Sequence, residues 1–245
     1  MNYGELFHQK TKDHDSGKDC PIPHDREEWP LAWKTVEYKT YQRYKTIELP
    51  TPEILNYSQD LLLERRTCRN FQKNRPLSLA EVSNLLAFSC GTNKFQDENG
   101  ASRRVQPSGG ARYPLEVYLL NLQAGELPRS FFHYQVANHS LVSLWPVDSL
   151  TNPVEEAFTY DWCWDASAAL LITAIPDRTT RKYGDRGYRY LYLETGIVVG
   201  NVIQAALANQ LETAVMGGIA DYDIEDMLGI DGYNETFVTG VMIGR

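Results

Sequence analysis

The chain has 245 residues, 42% apolar and 23% charged, values of an ordinary folded domain that set aside disorder, collagen and long coiled coils. Lys and Arg number 24 against 32 Asp and Glu, a net charge of −8, which argues against a nucleic-acid binder and requires any anionic ligand to be held locally. The longest apolar runs, around Ala168–Ile172 and Gly196–Gly200, fall short of the roughly 20 residues of a bilayer span, and the first residues lack a secretory signal pattern. The expectation is a cytoplasmic protein that engages no membrane.

Residues Met1 to about Arg26 are polar and aperiodic and read as a loose arm. The Trp- and Tyr-rich stretch Trp29–Pro52 reads as an extended continuation that packs on a body, so the division expected is an arm over 1–48 and a domain over 49–245. From Glu53 a helical pattern runs through Leu61–Leu63 into the loop Arg65-Arg66-Thr67-Cys68-Arg69. Ser78-Leu79-Ala80-Glu81 is a capping box that starts a second helix, with Gly91 as its stop. A long polar, Gly-rich loop follows. Leu115–Leu122 reads as a strand, and Phe131–Tyr134 with Leu141–Leu144 as a hairpin turning at Ala137-Asn138-His139. Ala168–Ile175 has the continuous apolar character of a central strand buried on both faces. Tyr188–Asn209, apolar on nearly all sides and rich in small residues, predicts a buried central helix. Thr213–Met216 is a strand ending at Gly217-Gly218, Asp223–Leu228 a short helix and Thr236–Ile243 a last strand. Strands and helices mix without βαβ regularity, so the class is α+β.

Several chemistries lose their warrant. No Rossmann glycine fingerprint, P-loop, zincin helix or nucleophile elbow is present. Cys20, Cys68, Cys90 and Cys163 are widely spaced and read as reduced thiols; no metal site is expected. His133 and His139 fall in the hairpin and read as surface or satisfied histidines.

Four stretches carry chemistry instead. Arg65, Arg66, Thr67 and Arg69 form a compact cationic loop suited to a phosphate, although a solvated cluster closing a helix has the same composition. In Pro107-Ser108-Gly109-Gly110-Ala111-Arg112-Tyr113-Pro114 paired glycines allow a flat ligand to approach the backbone, and Ser108 can bond a ring heteroatom; alone, this is also what a tight turn looks like. Lys182 and Tyr183 stand side by side before the loop Gly184–Gly187, proton-transfer groups at the mouth of an apolar region, where a partly desolvated lysine near Arg181 and Arg186 can serve as a base. Met216-Gly217-Gly218 offers bare backbone N–H groups at a strand end, and Arg245 ends the last strand.

Together these stretches resemble the nitroreductase superfamily of flavin enzymes and, within it, the SagB-type dehydrogenases of thiazole/oxazole-modified peptide biosynthesis. Arg65–Phe71 is similar to the family's R-R-[ST]-x-R-x-F loop, and Pro107–Glu116 to its P-S-[GA]-G-x-x-Y-P-x-E stretch. Lys182-Tyr183 through Arg189, with Glu194-Thr195-Gly196 and Asn201, matches K-Y…R-G-Y-R…E-[TA]-G…N, and Phe7–Lys12 looks like the subfamily's N-terminal arm. The resemblance implies a nitroreductase-like α+β fold with a central mixed sheet flanked by helices and a long buried central helix. It implies a homodimer with FMN at the interface. Arg65, Arg66, Thr67 and Arg69 would hold the phosphate and ribityl chain, with Arg245 as a substitute for a later contact. Ser108, Gly109, Gly110, Arg112, Met216, Gly217 and Gly218 would face the flavin. Lys182 would act as base and Tyr183 orient the substrate in oxidation of a peptide azoline to an azole, alone or with a cyclodehydratase complex. The alternatives are an NAD(P)H-dependent nitro or quinone reductase and a non-catalytic flavin-binding scaffold.

Overall fold

The computed structural model describes residues 3–12, 26–53, 60–96, 102–150 and 154–245. The elements in chain order are α1 (Tyr3–Lys10), α2 (Leu31–Lys34), β1 (Thr46–Glu48), α3 (Asp60–Glu64), α4 (Leu79–Cys90), β2 (Thr92–Gln96), β3 (Ser102–Arg104), β4 (Leu115–Asn121), β5 (Ser130–Gln135), β6 (Ser140–Pro146), β7 (Ala168–Ala174), α5 (Asp177–Tyr183), α6 (Gly187–Ala208), β8 (Glu212–Met216), α7 (Asp221–Leu228) and β9 (Thr236–Gly244). Cys20, and the part of the helical pattern over 54–59, lie outside the described residues.

The runs LEVYLLN and AALLITA become β4 and β7, every residue of which is buried. They are neighbours in a seven-stranded sheet of order β1-β6-β5-β4-β7-β9-β8. Alternation along each strand feeds two cores. Leu115, Val117, Leu119, Leu170 and Ile172 point to the face covered by α4 and α6, and Tyr118, Leu120, Ala169 and Leu171 to the face where Ile224 and Leu228 of α7 pack. Every ladder among these strands is antiparallel. Among the described residues the sheet is mixed only through a parallel bridge between Thr67 and Thr213 on the β8 edge.

The helix boundaries follow local chemistry. Ser78 accepts from the Glu81 backbone N–H, Glu81 reaches back to the Ser78 N–H at 2.8 Å, and Gly91 closes α4. Asn201 on α6 donates to the Ser89 carbonyl at 3.1 Å and clasps the two helices. The stretch Asp177–Ala208, α5 followed by α6, is long and apolar enough to cross a bilayer by length and composition, yet α6 is the central helix of the domain. Its residues Leu191, Val198, Val202, Ala205 and Ala206 are buried against the sheet.

Four readings change. Residues 3–10 are helical, and Thr11 is held by Arg189 Nε at 2.6 Å and Arg186 Nη1 at 3.4 Å, so this part of the arm is docked where a loose chain was expected. The stretch after Trp29 contributes α2 and then β1, an edge strand on β6. The polar loop before Pro107 contains the β2–β3 hairpin, whose composition hid it because none of β2 and only Arg104 of β3 is buried. Finally, α6 is not covered all round. Tyr188, Tyr192, Leu193, Gly196 and Ile197, a stripe at helical spacing, remain exposed.

Candidate active site

The Ser108–Tyr113 turn and the Lys182-Tyr183 pair, separated by about seventy residues, form one site. Gly110 has φ +62°, and a Cβ there would meet the Tyr183 hydroxyl and stand 3.0 Å from Lys182 Nζ. The turn is therefore built around the absence of a side chain. Gly109 faces the Tyr190 ring, 3.4 Å from where its Cβ would lie, and Tyr190 meets Tyr183 edge-on at 4.9 Å. Gly110→Ala is expected to lower stability by about 1–3 kcal/mol and to push Tyr183 aside, read as a lower urea midpoint.

Lys182 and Tyr183 lie at the C-terminal end of α5, which Gly184 closes with φ +54°. Arg181 pairs with Asp177 and Glu37, and Arg186 bonds the Tyr190 hydroxyl at 3.0 Å. The group seated on Lys182 is the Trp29 indole, with Nζ 3.2 Å from the ring centroid, while Trp33 stands at 5.6 Å. Lys182 is 1% exposed. Burial, with the neighbouring Tyr190, pushes the Tyr183 hydroxyl up against a small opposing effect of Arg112, so Tyr183 is a proton donor at neutral pH. A cleft of about 540 Å³ opens beside the pair, walled by Trp29, Trp33, Ser108, Gly110 and Arg112.

A carboxylate triad fixes the frame. Glu116 on β4 takes bonds from His133 Nε2 at 2.8 Å and Arg178 Nη1 at 2.6 Å. Arg178 also donates to the Tyr113 carbonyl at 3.1 Å. Arg178 is one helical turn before Lys182, so the triad locks α5 to the end of the Ser108–Tyr113 turn. Burial alone would raise the Glu116 carboxyl, but the His133 bond and the Arg178 charge outweigh it and hold it down at about 2. His133 is buried and bonded through Nε2 while its Nδ1 finds no partner, whereas both ring nitrogens of His139 are bonded, to Ser83 and Tyr134 at 2.8 Å each.

Glu194, from the second turn of α6, lies behind Ser108. It accepts from Gln106 at 3.3 Å and bonds the Ser108 hydroxyl, whose oxygen accepts the Tyr113 N–H at 2.8 Å. Burial raises its carboxyl to about 7, with the Ser108 and Gln106 bonds and the Arg104 charge opposing. A raised acid binds its proton more tightly when folded, so its contribution is complete below pH about 4.5 and is lost as pH rises through 7, a cost of about 3 kcal/mol. Glu194→Gln should therefore gain stability relative to the parent at pH 8 and not at pH 4, measured by urea unfolding at both.

Of the other predicted residues Arg112 belongs to the same turn and cleft, and the rest lie elsewhere in the chain. Arg65, Arg66, Thr67 and Arg69 are exposed at the β8 edge, where Cys68 N–H donates to the Thr213 carbonyl at 2.9 Å. Arg245 is nearby, its carbonyl accepting Gln72 N–H at 2.5 Å and its guanidinium bonded to Glu81. Met216 is buried; Gly217 has open space where a Cβ would go, and Gly218 packs against Thr159 and Tyr160. Arg112 is buried and donates to the Gly110 and Ala32 carbonyls at 3.1 and 2.6 Å. The Arg65–Arg69 loop bridges β8 just beyond the C-terminal end of α6, whereas Ser108 bonds Glu194 and Gly109 faces Tyr190 in the N-terminal half of that helix. A single chain does not bring them together. Trp29, Trp33, Gln106 and the Glu116–His133–Arg178 triad were not singled out as site residues from sequence. Aromatic density was the visible signal for the first two, and Glu116 and Glu194 stood within the matched motifs.

The thiols of the described residues are kept protonated by their environment: burial pushes Cys90 up to about 12 and Cys163 up to about 11, and Cys68 is raised by burial and Glu212. Among the described residues no cluster suits a metal.

Residues 62–245 match the Nitroreductase family. The Methanocaldococcus jannaschii protein MJ1384, which carries a nitroreductase name, is 33% identical over 189 residues, 77% of this chain and 92% of that one. The Escherichia coli microcin B17-processing protein McbC is 29% identical over 172 residues, 66% of this chain and 60% of McbC, so the chain spans less than two thirds of that relative. Among solved structures, the E. coli microcin synthetase McbBCD complex with truncated pro-MccB17 bound aligns with TM-score 0.61 and 21% identity over 99% of this chain and 91% of the matched one. A Desulfovibrio desulfuricans nitroreductase in complex with FMN aligns with TM-score 0.51 and 15% identity over 76% and 83% of the two chains. With the family model matched over residues 62–245 and a relative 33% identical along most of both chains, the chain belongs to the nitroreductase family.

Proposed function

We propose that the protein is an FMN-dependent oxidoreductase that converts a peptide azoline, a thiazoline or oxazoline, to the azole. The observation that carries this reading is the convergence of Lys182 Nζ and the Tyr183 hydroxyl on Gly110, a buried base and a proton donor at one bare stretch of backbone beside a cleft. The likeness to McbC, a peptide-processing protein, supports the substrate class.

The residues fit FMN as two half-sites. The exposed guanidinium loop Arg65–Arg69, with Arg245 beside it, suits the phosphate, and the Ser108–Gly110 turn and the open backbone at Gly217 suit a flat ring. In this reading two copies pack through the exposed stripe of α6. The Arg loop of one copy then completes the Ser108 turn of the other. When bound, FMN supplies the hydride acceptor, and dioxygen later takes the two electrons.

The chain's own residues do the rest. Lys182 removes the proton from the azoline Cα while hydride leaves Cβ, so the ring loses two hydrogens and two electrons and becomes aromatic. Tyr183 donates to the ring or its adjoining carbonyl and aligns it, and the Trp29 and Trp33 walls exclude water. The reaction takes place in the cytoplasm, on a peptide delivered by or within a complex that also holds a cyclodehydratase, in keeping with the likeness to McbBCD.

Incubating FMN-loaded protein with a thiazoline peptide should give product lighter by two hydrogens. The likeness to MJ1384 favours one second reading, reduction of a nitro compound or quinone by NAD(P)H. NAD(P)H oxidation with a quinone, and no mass change in the peptide, would decide for it.

A further inference from the structure

Among the described residues, Arg104 on β3 is a buried cation with no carboxylate bonded to it. It is 4% exposed, its Nη1 donates to the Leu115 carbonyl at 3.2 Å, its Nε has no partner, and the guanidinium lies over the Tyr113 and Tyr38 rings at 5.0 and 5.9 Å. The carboxylates whose charge reaches it, Glu116 and Glu194, are bonded to His133 and Arg178 and to Gln106 and Ser108. A guanidinium held out of water without an ion-pair partner is costly to the fold, and a bound anion offsets that cost. Its place is fixed in advance: the Arg104 N–H donates to the Tyr113 hydroxyl at 3.2 Å, and its carbonyl accepts from Asn93 Nδ2 at 2.9 Å. Two residues on, Gln106 is 1% exposed; its Nε2 donates to Glu194 at 3.3 Å, and its Oε1 has no partner. Both side chains border the cleft of about 540 Å³, as do Lys34, Arg103 and Arg112, while among the described residues no Asp or Glu does. In a chain of net charge −8 this wall is a local reversal of sign, and a cleft of one sign draws a ligand of the other.

We infer that the cleft binds the carboxylate of an Asp or Glu next to the azoline of the substrate peptide on the Arg104 guanidinium, with Gln106 Oε1 accepting an N–H of the same peptide. This rests on the reading of the substrate as a peptide azoline. Gly110 borders the same cleft, so a ring placed there sends its flanking residues along the wall that holds Arg104 and Gln106. The two unmet atoms choose the ligand. A donor and an acceptor stand two residues apart, and an acidic peptide supplies a partner to each, whereas a phosphate offers acceptors alone. The planar fork of a guanidinium matches a carboxylate, and the other cations of the wall favour the same sign of charge. Arg104 is therefore a specificity-determining residue, which selects among azolines by the side chain beside the ring.

The assignment is testable without turnover. FMN-loaded protein is titrated by calorimetry with thiazole peptides, capped at both termini, that differ only in Asp or Asn beside the ring, on its amino or its carboxyl side. On one of the two sides the parent should bind the Asp peptide about tenfold or more tightly than the Asn peptide, the size of one charge-assisted hydrogen bond. Arg104→Gln should bind both peptides alike, at the parent's affinity for the Asn peptide, and should keep its flavin absorbance. If Arg104→Gln weakens the fold, Arg104→Lys keeps the charge without the fork, and its preference for Asp should fall below the parent's. Equal affinities in the parent on both sides of the ring overturn the carboxylate. A preference for Asp that survives in full in Arg104→Gln overturns the role of Arg104, and so does loss of FMN from that variant, which would give the guanidinium to the flavin phosphate. Selective binding of the Asp peptide with no oxidation of the matching thiazoline would count against the proposed function alone.

Discussion

Lys182→Ala in the FMN-loaded protein is expected to slow azoline oxidation by about 10²–10⁴-fold, the range for loss of a positioned general base. Flavin absorbance should be unchanged, because the side chain that goes is enclosed by Trp29, Gly110 and Tyr183. Lys182→Met separates chemistry from packing, since it keeps the stem that fills the buried site and removes the amine. Both variants should fail alike in turnover, and Met should unfold at a higher urea concentration than Ala. Tyr183 cannot substitute as base, because burial holds its hydroxyl protonated. Turnover by either variant at the parent's rate would remove Lys182 from the mechanism and favour the NAD(P)H reductase, which needs no such base.

Glu116→Ala should cost about 3–5 kcal/mol at pH 7, the penalty for breaking a buried ion pair and leaving the other charge without its partner. The stranded group is Arg178, whose side chain is 6% exposed and which the substitution leaves with the Tyr113 carbonyl. His133 loses its partner at the same time. The pH dependence supplies a second readout. A carboxyl held down at about 2 stabilises the fold fully above pH 4.5 and loses that contribution as pH falls from 4.5 through 2, about 3 kcal/mol in all. Urea midpoints of the parent should therefore drop steeply across that window, and those of the variant should drop less. Since Arg178 holds α5 one turn before Lys182, the variant should also lose activity at pH 7 beyond what its folded fraction explains. A variant as stable as the parent would show that the triad does not anchor α5.

These effects show where sequence reading stops. The capping box at Ser78, the stop at Gly91, the two fully buried strands and the long central helix were legible because each depends on local rules: a hydroxyl three residues before a carboxylate, continuous apolar runs, small residues at helical spacing. Arg65–Arg69, Ser108–Gly110 and Lys182-Tyr183 were legible as chemistry for the same reason. The β2–β3 hairpin was not, since Thr92–Gln96 carries no buried face for alternation to reveal. Neither was the docking of residues 3–12, which depends on Arg186 and Arg189 almost 180 residues away.

Residue types and their order determined the family, the strand and helix inventory and the identity of the groups able to bind an anion or move a proton. Folding decided which of those groups meet. It joined Gly110 to Lys182 and Tyr183, laid Trp29 on the lysine, turned Arg112 inward to the arm, and left the Arg65 loop at the far end of α6. Such pairings arise from strand order and helix docking between segments far apart in the chain, and no short-range pattern encodes them.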